Sequence, residues 1–203
     1  PGQPGLDAWY HARYADLLRL GVARWDGSVF PWHAHSAYAD LPMDWSLGWH
    51  WVVAPLTALG ALAALRIATC VGVGLLAAAF HSLLRAAGVR PAWPWTALLV
   101  AGNAGWLYRE LLGRPTPFVI AVLLVLLAAA VRGRALLAGS LAFLAMALYP
   151  VPALPLLVGG CACAAVLVTE RRVPWRVAAA GGAGVLLAVL AHPGFHTIGP
   201  DGT

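Results

Sequence analysis

From Ser46 onward the chain is a succession of apolar stretches separated by single or paired arginines. That pattern constrains the fold more than any motif does. Candidate spans lie at about Ala61–Leu84, Trp93–Tyr108, Pro117–Val131, Ala135–Leu148, Val151–Thr169 and Trp175–Ala191. A full bilayer crossing takes about 20 apolar residues, so several of these are short and need a larger bundle around them. Apolar residues make up 61% of the 203 and charged ones 10%, with mean hydropathy +0.77. Soluble domains carry about a quarter charged residues, so this chain cannot cover a water-facing surface. The expected fold is an all-α, polytopic transmembrane helical bundle of about six spans, with an N-terminal extramembrane helix and loop.

Three regions follow. Residues 1–47 form an outer-face loop with a short amphipathic helix, residues 48–192 the helical bundle, and residues 193–203 an outer-face tail. The first region holds Asp7, Asp16, Asp26, Asp40 and Asp44, five of the eight acidic residues. Leu6 to about Leu20 reads as a helix with Leu6, Tyr10, Tyr14, Leu17 and Leu18 approximating one face. Trp49 to Leu59, interrupted by Pro55, is too short to span and reads as interfacial or re-entrant. Pro150 and Pro152 break the fourth span from the fifth. The chain starts at Pro1 and stops just past an apolar stretch, as expected of a fragment with membrane segments missing.

The formal charge of +5 is distributed singly, which is a topology pattern rather than a phosphate-binding patch, so no nucleic-acid partner is expected. Arg85 and Arg90 follow the first span, Arg132 and Arg134 the third, and Arg171, Arg172 and Arg176 the fifth. By the positive-inside rule those turns are cytoplasmic. The N-terminal region, the Arg109–Arg114 loop, the Tyr149-Pro150 turn and the tail then share the outer face. All thirteen Lys+Arg residues are arginine, which with the Ala, Gly, Leu and Val content points to a bacterial chain and an inner (plasma) membrane location. Cys70, Cys161 and Cys163 sit in apolar stretches and read as small packing residues. Trp45, Trp49, Trp51, Trp93, Trp95, Trp106 and Trp175 fall near span ends, as an interfacial belt does.

The residues that could carry chemistry lie on the outer side. Asp7 reads either as a helix N-cap or as a carboxylate placed to act as general base or hold a cation. Arg109 and Arg114 read either as snorkelling side chains or as contacts to a lipid phosphate. Arg66, one turn into an apolar span, either snorkels or faces a partner. His33-Ala34-His35, with His50 beyond, lacks the third and fourth ligands of a zinc site, and no metal ligands are assigned.

Gly5-Leu6-Asp7-Ala8-Trp9-Tyr10-His11-Ala12-Arg13 resembles the first external loop of the GT-C superfamily of polytopic glycosyltransferases. It is similar in particular to the oligosaccharyltransferase catalytic-subunit branch. Asp26, Pro42-Met43-Asp44-Trp45 and Ala54-Pro55-Leu56 leading into Leu65-Arg66 extend that likeness. Gly113-Arg114-Pro115-Thr116-Pro117, Arg132-Gly133-Arg134, Leu137-Ala138-Gly139 and Tyr149-Pro150 are similar to bacterial mannosyltransferase-like families. The resemblance implies transfer of a sugar from a polyprenyl-phosphate or polyprenyl-diphosphate carrier to an acceptor at the outer face. It gives Asp7 and Glu110 the catalytic positions, and places Tyr10, His11, Arg109 and Arg114 against donor and membrane lipid. It also implies a divalent cation, Mg or Mn. The second acidic motif of the oligosaccharyltransferase branch is reduced here to Glu110. A transporter or flippase, or a non-catalytic scaffold, is the alternative class. The absence of a convincing internal repeat argues against the transporter.

Overall fold

The structure is a computed structural model that describes residues 6–24, 46–102 and 113–192. Among these every regular element is helical: α1 (Leu6–Arg19), α2 (Leu47–Val53), a 3-10 helix (Ala54–Leu59), α3 (Ala61–Ala86), α4 (Trp93–Ala101), α5 (Thr116–Val131), α6 (Ala135–Leu148), α7 (Ala153–Glu170) and α8 (Trp175–Ala191). Proline lies at the entry of α4 and α5 and as the N-cap of α7 and α8, where its fixed φ suits the first turn and its missing N–H costs nothing. Between α5 and α6 the chain reverses through Gly133 at φ 69°, with the Arg134 N–H donating to the Ala129 carbonyl at 2.9 Å. Only glycine takes that left-handed conformation without a Cβ penalty.

α3 and α7 are long and apolar enough to cross a membrane. At 1.5 Å per residue they measure about 39 and 27 Å, against a hydrocarbon core of about 30 Å. α5, α6 and α8 are apolar but shorter, so length singles out two crossing helices where the sequence led us to expect six. Of the expected span Trp93–Tyr108, the described part is α4; the remainder lies outside the described residues, as do 193–203.

α5 packs against α3, α6 and α7, and α8 lies against α6 and α7. One core joins Val119, Leu126, Ala142, Met146, Ala162 and Val185. A second joins α1, α2, the 3-10 helix and the start of α3 through Ala12, Tyr14, Leu18, Trp49, Val53 and Leu65. Phe118 touches both. The outward helix faces are apolar, Leu136 being 88% and Val168 78% exposed.

Two expectations about individual residues are corrected. Trp49 is fully buried, 5.2 Å from the Phe118 ring, because α2 turns inward against α6 instead of lying in a belt. Trp9, Trp51, Trp93, Trp95 and Trp175 are exposed, and Trp45 and Trp106 lie outside the described residues. All three cysteines are free thiols, yet Cys70 and Cys161 are exposed, with Thr69 and Ala162 taking the inward positions beside them.

Candidate functional site

α1 is rich in alanine and presents Tyr10, His11 and Tyr14 toward α2. α2 is a seven-residue apolar helix whose one titratable side chain is His50. His11 Nδ1 and His50 Nε2 are 2.7 Å apart in a buried hydrogen bond, one ring donating its N–H and the other accepting. Tyr14 lies against the His50 ring at 4.7 Å, and Tyr10 meets it edge-on at 5.4 Å. His50 and Tyr14 are wholly buried and His11 nearly so.

The far end of α1 is fixed by a second polar chain. Arg19 Nε donates to Thr57 Oγ1 at 2.9 Å, and the Thr57 hydroxyl donates to the Ala54 carbonyl at 2.7 Å. Arg19 also pairs with Asp16 at 2.8 Å, and Arg13 approaches the same carboxylate at 3.4 Å. Both ion pairs are partly exposed and contribute little on their own.

The start of α1 meets the entry to α5. Gly113, at φ 75°, leaves room such that a Cβ there would touch Ala8 and Leu65 at 3.4 Å. The first turn of α1, the first turns of α3 and the Gly113-Arg114 corner therefore abut. α2 closes the same end, with Gly48 against Ala147 and Leu148 just before the Tyr149-Pro150 turn. Segments separated by about a hundred residues in sequence thus share one end of the bundle. Arg85, Arg90, Arg132, Arg134, Arg171, Arg172 and Arg176 lie in or beside the turns at the other end.

Of the expected site residues, Tyr10, His11 and Arg114 are brought to this end. Asp7 is in the first turn of α1, one residue inside the helix start rather than at the N-cap, and its side chain lies outside the described residues. Arg109 and Glu110 lie outside them as well, as do His33 and His35. No family model, characterised protein or solved structure matches the chain. Among the described residues no three His, Cys, Asp or Glu side chains gather as metal ligands would. Arg66 points outward and is exposed.

Sequence reasoning missed the pairing of His50 with His11. The signal available was an imidazole isolated in an apolar segment between two tryptophans, a side chain that burial leaves in need of a partner. Replacing His50 with Phe should lower unfolding stability by about 1–3 kcal/mol, because a buried hydrogen bond to His11 Nδ1 is lost. Thermal unfolding of the purified protein measures this. The double change His11→Phe/His50→Phe should cost less than the sum of the two single changes, since it removes both polar groups together.

Proposed function

We propose that this chain is part of an integral membrane glycosyltransferase that moves a sugar from a polyprenyl-phosphate or polyprenyl-diphosphate carrier to an acceptor at the outer face of a bacterial inner membrane. The observation that carries the proposal is the close approach of Gly113 to Ala8 and Leu65, which brings the first turn of α1 near the Gly113-Arg114 corner. The apolar outward faces of α6, α7 and α8 support a lipid setting, in which the shorter segments Trp93–Tyr108, Pro117–Val131, Ala135–Leu148 and Trp175–Ala191 join α3 and α7 in a bundle of about six spans. The arginine-rich turns opposite the site support an orientation with the site outside.

In this mechanism the Asp7 carboxylate takes the proton from the acceptor, and the acceptor lone pair forms a bond to the anomeric carbon. The bond from that carbon to the phosphate oxygen breaks, and its electron pair leaves on the lipid phosphate. Arg114 and Arg109 face the charge that develops there, since a guanidinium pairs with phosphate oxygens in a forked geometry. Glu110 supports Asp7. Tyr10 lines the approach. His11, buried against His50, holds α1 in place rather than touching the sugar. A divalent cation, Mg or Mn, would add its charge to stabilisation of the leaving phosphate, with Asp7 and Glu110 the residues able to hold it.

The orientation is testable with single cysteines on a background lacking Cys70, Cys161 and Cys163. Arg13→Cys and Val173→Cys replace exposed residues at opposite ends of the bundle. An impermeant thiol reagent added to intact cells should label position 13 and leave position 173 untouched. The reverse pattern would place Asp7 and Arg114 in the cytoplasm and end the outer-face mechanism.

A further inference from the structure

At the arginine-rich end, the α5–α6 turn and the α7–α8 turn enclose a groove of about 360 Å³. Val131, Gly133, Val166, Arg172, Trp175 and Arg176 are among its walls. Its floor is apolar, Val166 and Val177 being buried there, while its rim is strongly basic. Arg132 and Arg134 stand on one turn, and Arg171, Arg172 and Arg176 on the other. Glu170 is the single acidic residue in the sequence between Glu110 and Asp201, and it engages Arg172 at 2.5 Å. Arg132, Arg134 and Arg176 have no acidic residue adjacent to them in the sequence. Arg176 lies 5.4 Å above the Trp175 ring, which is itself largely exposed.

A free anion would be served by the arginines alone, with no use for an apolar floor. The groove instead opens onto apolar helix surface, where Val131, Leu167, Val168 and Val173 are exposed. Basic groups at the membrane–water boundary, continuous with apolar surface below them, match one ligand chemistry: a phosphate or phosphodiester headgroup carrying acyl chains. Tryptophan at the rim fits the same boundary, since its ring is at home at headgroup depth. We infer that this groove is a binding site for an anionic phospholipid, its phosphate held between Arg176 and the two Nη groups of Arg172, whose Nε already engages Glu170, and its chains lying along the outward face of α7. Arg132 and Arg134, beside Gly133 on the α5–α6 turn, add positive charge nearby. The inference rests on the membrane setting proposed above and is independent of sugar transfer.

The test uses the full-length protein exchanged into mixed micelles with phosphatidylglycerol and phosphatidylcholine in equal amounts. Retained lipid is counted by native mass spectrometry. Phosphatidylglycerol should be kept in preference, and the double variant Arg172→Gln/Arg176→Gln should reduce that preference by about thirty-fold, two arginines' share of headgroup attraction. Both side chains are exposed, so the variant should keep the parent's melting temperature, and that is checked alongside. The variant Arg85→Gln/Arg90→Gln removes the same charge from another turn at this end and should leave the preference intact. No preference in the parent protein overturns the inference. Equal loss in both double variants also overturns it, by reducing the groove to general surface charge. Displacement of phosphatidylglycerol by inorganic phosphate at matching concentration overturns it too, in favour of a small-anion site. A protein inactive in sugar transfer that still selects phosphatidylglycerol leaves the lipid site standing and removes only the transferase reading.

Discussion

Replacing Asp7 with Asn in the full-length protein should lower sugar transfer from a polyprenyl-phosphate donor by about 10²–10⁴-fold, the range contributed by a positioned general base. The substitution is chosen so that folding and chemistry separate. Asn has the shape of Asp and is tolerated at a helix start nearly as well, so α1 should form in the variant. What the side chain loses is its negative charge, and with it the capacity to take a proton. In the first turn of α1 that charge also complements the helix dipole, a stabilisation of about 0.3–1 kcal/mol. If the dipole were the whole of its role, the variant would melt slightly lower and transfer at the parent rate. Radiolabelled donor and isolated membranes measure the transfer, and a thermal melt measures the stability. Transfer retained at the parent level removes Asp7 from the mechanism.

The second large effect belongs to the bundle. Gly139 on α6 faces Ala180 and Gly184 on α8 with the two backbones in direct contact. A Cβ at Gly184 would overlap the Gly139 carbonyl, and one at Gly139 would lie 2.7 Å from the Ala180 carbonyl oxygen. Ala180 and Gly184 are four residues apart, a small-residue pair that lets helices approach closely without a hydrophobic driving force. Gly184→Val should therefore force α6 and α8 apart. No rotamer change relieves a clash with backbone, so the cost should exceed the usual 1–3 kcal/mol of overpacking. Against a total stability of about 5–15 kcal/mol, that should remove a large share of the protein's stability. Gly181 and Gly182, on the same helix, have nothing within 4 Å of an added Cβ. Gly181→Ala and Gly182→Ala should be neutral or slightly stabilising, since Ala is a better helix former than Gly by about 1 kcal/mol. Yield of monodisperse protein in detergent, with thermal unfolding, separates the two cases. Equal behaviour of Gly184→Val and Gly182→Ala would show that the α6–α8 contact does not hold the bundle.

The helix pattern could be read from the chain because apolar stretches and their prolines are local signals. The expected Ala61–Leu84, Pro117–Val131, Ala135–Leu148, Val151–Thr169 and Trp175–Ala191 agree with α3, α5, α6, α7 and α8 to within two residues at each end. The N-terminal helix was legible in the same way, and Tyr14, Leu17 and Leu18 are buried as its apolar face required. Inward and outward positions within the apolar helices were not legible. When every face of a helix is apolar, its sequence carries no period to say which side meets a neighbour. Cys70 and Cys161 were expected to pack and are exposed, and Trp49 was expected at an interface and is buried.

By itself, then, the sequence determined the helical elements among the described residues, the boundaries of most of them, and a composition poor in charge with arginine grouped near the turns. Those depend on composition and on backbone chemistry within a few residues. Only the tertiary structure decided that His11 meets His50, that the first turn of α1 comes near the Gly113-Arg114 corner, and that two arginine-bearing turns flank one groove. Each of these is a contact across a large sequence separation. It is fixed by which small residues let two backbones approach, and no local pattern along the chain encodes it.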